Sequence, residues 1–103
     1  MTHRAQLLWF GDCPNHETAR QLLRDVVARL APDTTIEDID ASNPAVAERL
    51  RFPGSPTIRV DGVDVGPGFR GPGDYAPRCR LYRTGSGLAG VPEPAWIEEA
   101  LRA

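Results

Sequence analysis

The sequence predicts an α/β fold of three layers, a mixed central sheet between helices, in the order β-α-β-α-β-β-α. Three observations carry that reading. A short apolar run, Ala5 to Phe10, ends at Gly11 and gives way to a long helical period. A second strand–helix unit follows, so strands and helices alternate through the first half, which implies right-handed crossovers and parallel pairing. The second half instead joins two apolar, β-branched runs through Asp61-Gly62, the signature of an antiparallel hairpin. The 103 residues fit one domain, 1–103, large enough to bury a core without help from disulfides or metals.

Each element follows from its own residues. AQLLWF has the length and the flanking glycine of a buried strand. Ala19, Leu22, Leu23, Val26, Val27 and Leu30 recur at helical spacing, opposite Glu17, Arg20, Gln21, Arg24, Asp25 and Arg29, which makes an amphipathic helix. Pro14 suits its first turn, where a missing N–H costs nothing, and Pro32 closes it. Thr34 to Ile39 alternates apolar and polar residues as a strand does. Asn43-Pro44 is a cap with proline at the first helical position, opening a short helix to Arg51. Ser55-Pro56 precedes the strand Thr57 to Val60, and Val63 and Val65 resume the alternation after the turn. Pro94 to Ala103 forms the closing helix, with Ala95, Trp96, Ala100 and Leu101 toward the sheet. Between hairpin and closing helix lies a glycine- and proline-rich insertion, Gly66 to Pro92, in which Cys79 to Arg83 reads as a short edge strand. A connection this long inside a compact domain is usually functional or mobile.

Composition narrows the classes of function. Hydrophobic residues at 41% and charged residues at 25% are ordinary for a soluble globular chain. No apolar run approaches the roughly 18 residues that span a membrane. Leu7 to Phe10 is too short for the apolar region of a signal peptide, so a cytoplasmic protein with no membrane partner is expected. Net charge is −2 without a basic cluster, which argues against nucleic acid as a partner. The basic residues are all arginine, a bias that fits a GC-rich coding sequence. Cys13 and Cys79 are too few for a secreted disulfide scaffold; in a reducing cytosol they are expected to be reactive, metal-binding or simply buried.

Cys13 falls where the first strand meets the first helix. The N–H groups and dipole of a helix N-terminus favour an anion, and a cysteine there can have its pKa lowered, which turns the thiol into a nucleophilic thiolate. The segment WFGDCPNH, after an apolar strand and before an amphipathic helix, resembles the active-site turn of the thioredoxin and glutaredoxin superfamily, as found in its small bacterial members. GSPTIRVDG resembles the part of those proteins that carries a cis-proline beside the active-site cysteine. The resemblance implies a thioredoxin-like fold over residues 5–65, a cis Pro56 flanked by Ser55 and Thr57, and substrate contacts from Pro14, Ser55, Pro56 and Thr57. It departs at one position: where the family has Cys-X-X-Cys, this chain has Cys13-Pro14-Asn15-His16.

Without the second cysteine, a dithiol exchange confined to the motif is impossible, and several readings stay open. Cys13 could act as a monothiol on a mixed disulfide, with glutathione or another low-molecular-weight thiol as co-substrate and no resident cofactor or metal. His16, three residues on, could hold the thiolate or protonate the leaving thiol. Cys79 could be a remote resolving partner, if its Cα comes within roughly 7 Å of that of Cys13. The partners on these readings are protein or small-molecule thiols and disulfides. Cys13, His16 and Cys79 could instead hold a soft metal such as zinc, copper or mercury. Bacterial chains of this type resemble organomercurial lyases, which use two cysteines and an aspartate, for which Asp12 or Asp74 is available. A non-catalytic binding module is the other class: an extended peptide would pair with the backbone beside Pro56. Phe52, Phe69, Tyr75 and Trp9 are candidates to line that groove, and Arg70, Arg78, Arg80 and Arg83 to receive carboxylates.

Overall fold

A computed structural model describes residues 2–69, 71 and 73–102. Strand β1 (Arg4–Trp9) leads to helix α1 (His16–Leu30), then β2 (Thr35–Asp40) and the short α2 (Pro44–Arg49). The hairpin of β3 (Thr57–Val60) and β4 (Val63–Asp64) follows, then a second hairpin of β5 (Tyr82–Thr84) and β6 (Gly87–Ala89), and finally α3 (Pro94–Arg102). The main sheet has the order β2-β1-β3-β4. β1 runs parallel to β2 and antiparallel to β3, with Leu7 opposite both Asp38 and Ile58.

Alternation along β1 explains the layers, because neighbouring side chains on a strand point to opposite faces. Ala5 and Leu7 join Leu23, Val26 and Val27 of α1, Ile58 of β3, and Ile97 and Leu101 of α3 in one buried cluster. Leu8, between them in phase, faces the other way and packs with Ala41, Ala47 and Phe52 beneath α2. Replacing Ile58 with valine removes one buried methyl from the larger cluster, and chemical denaturation is expected to show a loss of about 1 kcal/mol. The turn between β3 and β4 has positive φ at both Asp61 (53°) and Gly62 (84°), the geometry that the Asp-Gly pair predicts. No helix among the described residues is long and apolar enough to cross a membrane.

Three expectations change. Helix α1 begins at His16 rather than at Pro14, because the chain makes two tight turns over residues 11–15 and Asn15 becomes the N-cap. Cys79 to Arg83 is not one edge strand of the main sheet: Cys79 forms an isolated bridge to Ser55, and β5 begins at Tyr82 and pairs with β6 in a separate sheet. On the closing helix, Ile97 and Leu101 are buried, with Trp96 and Ala100 packed at the margin and Ala95 exposed. Arg70, of the arginines proposed to receive carboxylates, lies outside the described residues.

Candidate active site

The end of β1, the turn before α1 and the loop before β3 converge on Ser55. The Ser55–Pro56 peptide bond is cis. Phe10 N–H donates to Ser55 Oγ at 3.1 Å, and the Cys13 thiol donates to the Ser55 carbonyl at 3.5 Å. Asn15 N–H donates in turn to Cys13 Sγ at 3.4 Å, so a backbone donor faces the sulfur from the helix side. A strand-to-helix junction is ordinarily open to solvent, yet Cys13 is only 2% exposed.

The insertion is tied to the same loop. Ser55 N–H donates to the Arg78 carbonyl at 2.7 Å, and Arg80 N–H donates to the Ser55 carbonyl at 2.8 Å. These two bonds bracket Cys79, which lies exposed alongside Ser55 while Cys13 lies buried against the same residue. The Cys79 thiol is pushed above the ordinary thiol range by desolvation first, then by the charge and hydrogen bonding of Cys13 and by Asp12. The two cysteines, 66 positions apart by their numbers (79 less 13), are thus brought to one place.

Arg80 fastens this arrangement. Its guanidinium, 7% exposed, donates two parallel bonds to the Asp64 carboxylate, at 2.6 and 3.0 Å, and a third to Thr57 Oγ1 at 3.0 Å. It is sandwiched between the rings of Phe69, at 3.9 Å, and Tyr82, at 4.2 Å, where cation–π attraction adds to the charge pairing. Thr57 Oγ1 donates onward to the Gly54 carbonyl at 2.6 Å, and the Tyr82 hydroxyl donates to the Pro56 carbonyl. Burial pushes that hydroxyl well above its ordinary pKa, so it stays a donor. On the other flank, the end of the second hairpin closes on the turn: a Cβ on Gly90 would stand 2.2 Å from Asn15 Nδ2, so the Asn15 side chain packs directly against this glycine.

Several expected roles are corrected by this geometry. His16 does not hydrogen-bond the sulfur. Helix α1 starts at His16, so the Cys13–His16 spacing crosses a turn, and Nδ1 bonds the Cys13 carbonyl at 2.8 Å. A carbonyl only accepts, so Nδ1 carries the proton, and the ring stacks on Trp9 with centroids 4.8 Å apart. Of Pro14, Ser55, Pro56 and Thr57, only Pro14 is exposed; the other three are buried under the insertion. Phe52 is a core residue rather than a groove wall, and the backbone groups of Ser55 offered to a peptide are already paired. Arg80 and Arg78 receive the chain's own carboxylates, Asp64 and Asp74, and Arg83 is exposed. Among the described residues no three His, Cys, Asp or Glu side chains gather as a metal-ligand group.

Trp9 is half-buried and holds a polar cluster beside the turn. Its indole N–H donates to Asp38 Oδ1 at 2.6 Å, and Arg20, bonded to Asp38 Oδ2 at 2.6 Å, lies over its ring. The Arg20 guanidinium first, and the indole N–H after it, hold the Asp38 carboxyl below the usual carboxylate range. A depressed carboxylate contributes stability above its unfolded pKa of about 3.9 and loses it as pH falls through the lower folded value. In a Trp96→Phe background, Trp9 fluorescence is therefore expected to hold through pH 4 and change only in stronger acid, and Asp38→Asn should remove that transition.

Sequence reasoning named Arg80 without its partner and left out Asp64, Tyr82 and Gly54. The available signal was local: Gly54 directly precedes the Ser-Pro pair, and at φ +140° a Cβ there would stand 2.8 Å from Arg80 Cβ. No protein-family model matches the chain, and no curated protein matches it. Among solved structures it is similar to chloroplastic thioredoxin z, whose crystal structure is described as defining a novel type-specific target recognition. The two superpose with a TM-score of 0.59 at 18% identity, over 98% of this chain and 76% of that one. The four-stranded mixed sheet and its flanking helices are a thioredoxin-like fold.

Proposed function

We propose that the chain is a thiol–disulfide oxidoreductase of the cytosol in which Cys13 and Cys79 form the redox couple and Cys13 is the nucleophile of the step that joins them. The observation that carries this is the pairing of Ser55 with Cys79, which sets an exposed thiol beside the buried one. In the internal step the Cys13 thiolate attacks the sulfur of a mixed disulfide, Cys79–S–S–R. The Cys13–Cys79 disulfide forms, the S–S bond between Cys79 and the SR group breaks, and RS⁻ leaves to take a proton from water. The Asn15 N–H is placed to stabilise Cys13 as a thiolate, both before attack and when it leaves in the reverse direction. His16 serves as a positioning residue, tying the Cys13 carbonyl to the stacked Trp9 ring. Treating the reduced protein with bis(2-hydroxyethyl) disulfide, digesting it without reduction and mapping the fragments tests the reading. One cross-linked fragment holding both cysteines is expected; separate adducts on each cysteine, with no cross-link, would overturn it.

A further inference from the structure

The redox-couple reading leaves open how the mixed disulfide on Cys79 arises and what sort of molecule supplies it. An extended polypeptide docks by pairing its backbone with free N–H and C=O groups at a strand edge. At the loop before β3 those groups belong to Ser55, and Arg78 and Arg80 already occupy both. The occupant is held firmly: Arg80 is clamped by Asp64 and Thr57, Tyr82 is bonded to the Pro56 carbonyl, and Arg80 Cβ fills the space beside Gly54. Cys13 is 2% exposed, while Cys79 stands in the middle of the occupying segment and faces solvent.

We propose, resting on the redox-couple reading, that the exchange partners are low-molecular-weight thiols and disulfides rather than extended protein segments, and that they bond to Cys79. With a small disulfide RSSR, the Cys79 thiolate attacks one sulfur, releasing RS⁻ and forming Cys79–S–S–R. Cys13 then attacks the Cys79 sulfur and releases the second RS⁻. The balance is one RSSR reduced to two RSH and one protein dithiol oxidised to a disulfide. In the reverse direction an incoming thiolate attacks Cys79 and Cys13 leaves. Access selects this order, since exchange rates depend on which sulfur can be reached.

Two probes and three variants decide it. The probes are bis(2-hydroxyethyl) disulfide and the disulfide-linked dimer of a short unstructured peptide. Cys13→Ser is expected to accumulate one small adduct, mapped to Cys79, while Cys79→Ser gains its adduct on Cys13 at least about tenfold more slowly, as access to the sulfur dictates. Wild type should prefer the small disulfide over the peptide dimer by about tenfold or more, for the same reason. Gly54→Ala, whose Cβ would displace Cys79 and Arg80, should narrow that preference. Equal rates at Cys13 and Cys79 in the serine variants would overturn the proposal, and so would equal rates for the two probes on wild type. Should Gly54→Ala fail to fold, the serine variants and the wild-type ratio still decide. Failure of the redox-couple reading looks different: adducts form on wild type but no Cys13–Cys79 cross-link follows, and the mapped position of the adduct still judges this proposal.

Discussion

Replacing Cys13 with serine is expected to lower turnover of a small disulfide by on the order of a thousandfold or more, the scale on which loss of a nucleophile acts. The reason is chemical rather than structural. A thiolate attacks sulfur readily, whereas a serine hydroxyl stays protonated at neutral pH, and the groups that bond this position are the Ser55 carbonyl and the Asn15 N–H, neither of them a base that could activate it. The cycle then stops after one half: Cys79 can still pick up an adduct, and nothing displaces it. The fold should be nearly indifferent to the change. A hydroxyl at this position keeps an acceptor in the Ser55 carbonyl and a donor in the Asn15 N–H, so a denaturant titration is expected to move by no more than about 1 kcal/mol. A stable, folded Cys13→Ser protein with undiminished turnover would remove Cys13 from the chemistry.

The fold was legible because its signals are local. The change of period at residues 11–16, the Asn43-Pro44 cap, whose side chain accepts from Ala45 N–H, and the Asp61-Gly62 turn each state their conformation within a few residues. Cys13 was legible for the same reason, as a cysteine between a strand and a helix. The site around it was not, because it is made by contacts across long stretches of chain. Nothing near Cys79 announces that Arg78 and Arg80 bracket Ser55, and Arg80 resembles any surface arginine until Asp64 is seen 16 residues away. Two expectations changed, each through a structural fact of its own. The start of α1 at His16 moves the histidine off the sulfur, and the insertion that covers Ser55 turns the expected peptide groove into an internal contact.

Arg80→Ala is expected to cost about 3–5 kcal/mol in a urea titration, the range for breaking one side of a buried ion pair. The carboxylate of Asp64, 13% exposed, would keep its charge and lose both guanidinium bonds, and Thr57 Oγ1 would lose a donor. The rings of Phe69 and Tyr82 would also lose the flat group packed between them, so the loss exceeds the charge alone. Pairing the change with Asp64→Leu should recover part of the stability, because the double variant no longer buries an unpaired charge. The consequence for function follows from the same bonds. Arg80 N–H is one of the two bonds that hold Cys79 alongside Ser55, so freeing the side chain lets the segment swing and lowers the effective concentration of Cys79 at Cys13. Closure of the Cys13–Cys79 disulfide, followed by quenched alkylation, is expected to slow by about tenfold in Arg80→Ala, since a loosened segment meets its partner less often. A variant that loses stability yet closes the disulfide at the wild-type rate would show that the clamp serves the sheet alone, and that Cys79 is kept at Cys13 by the Ser55 backbone bonds without help from the arginine.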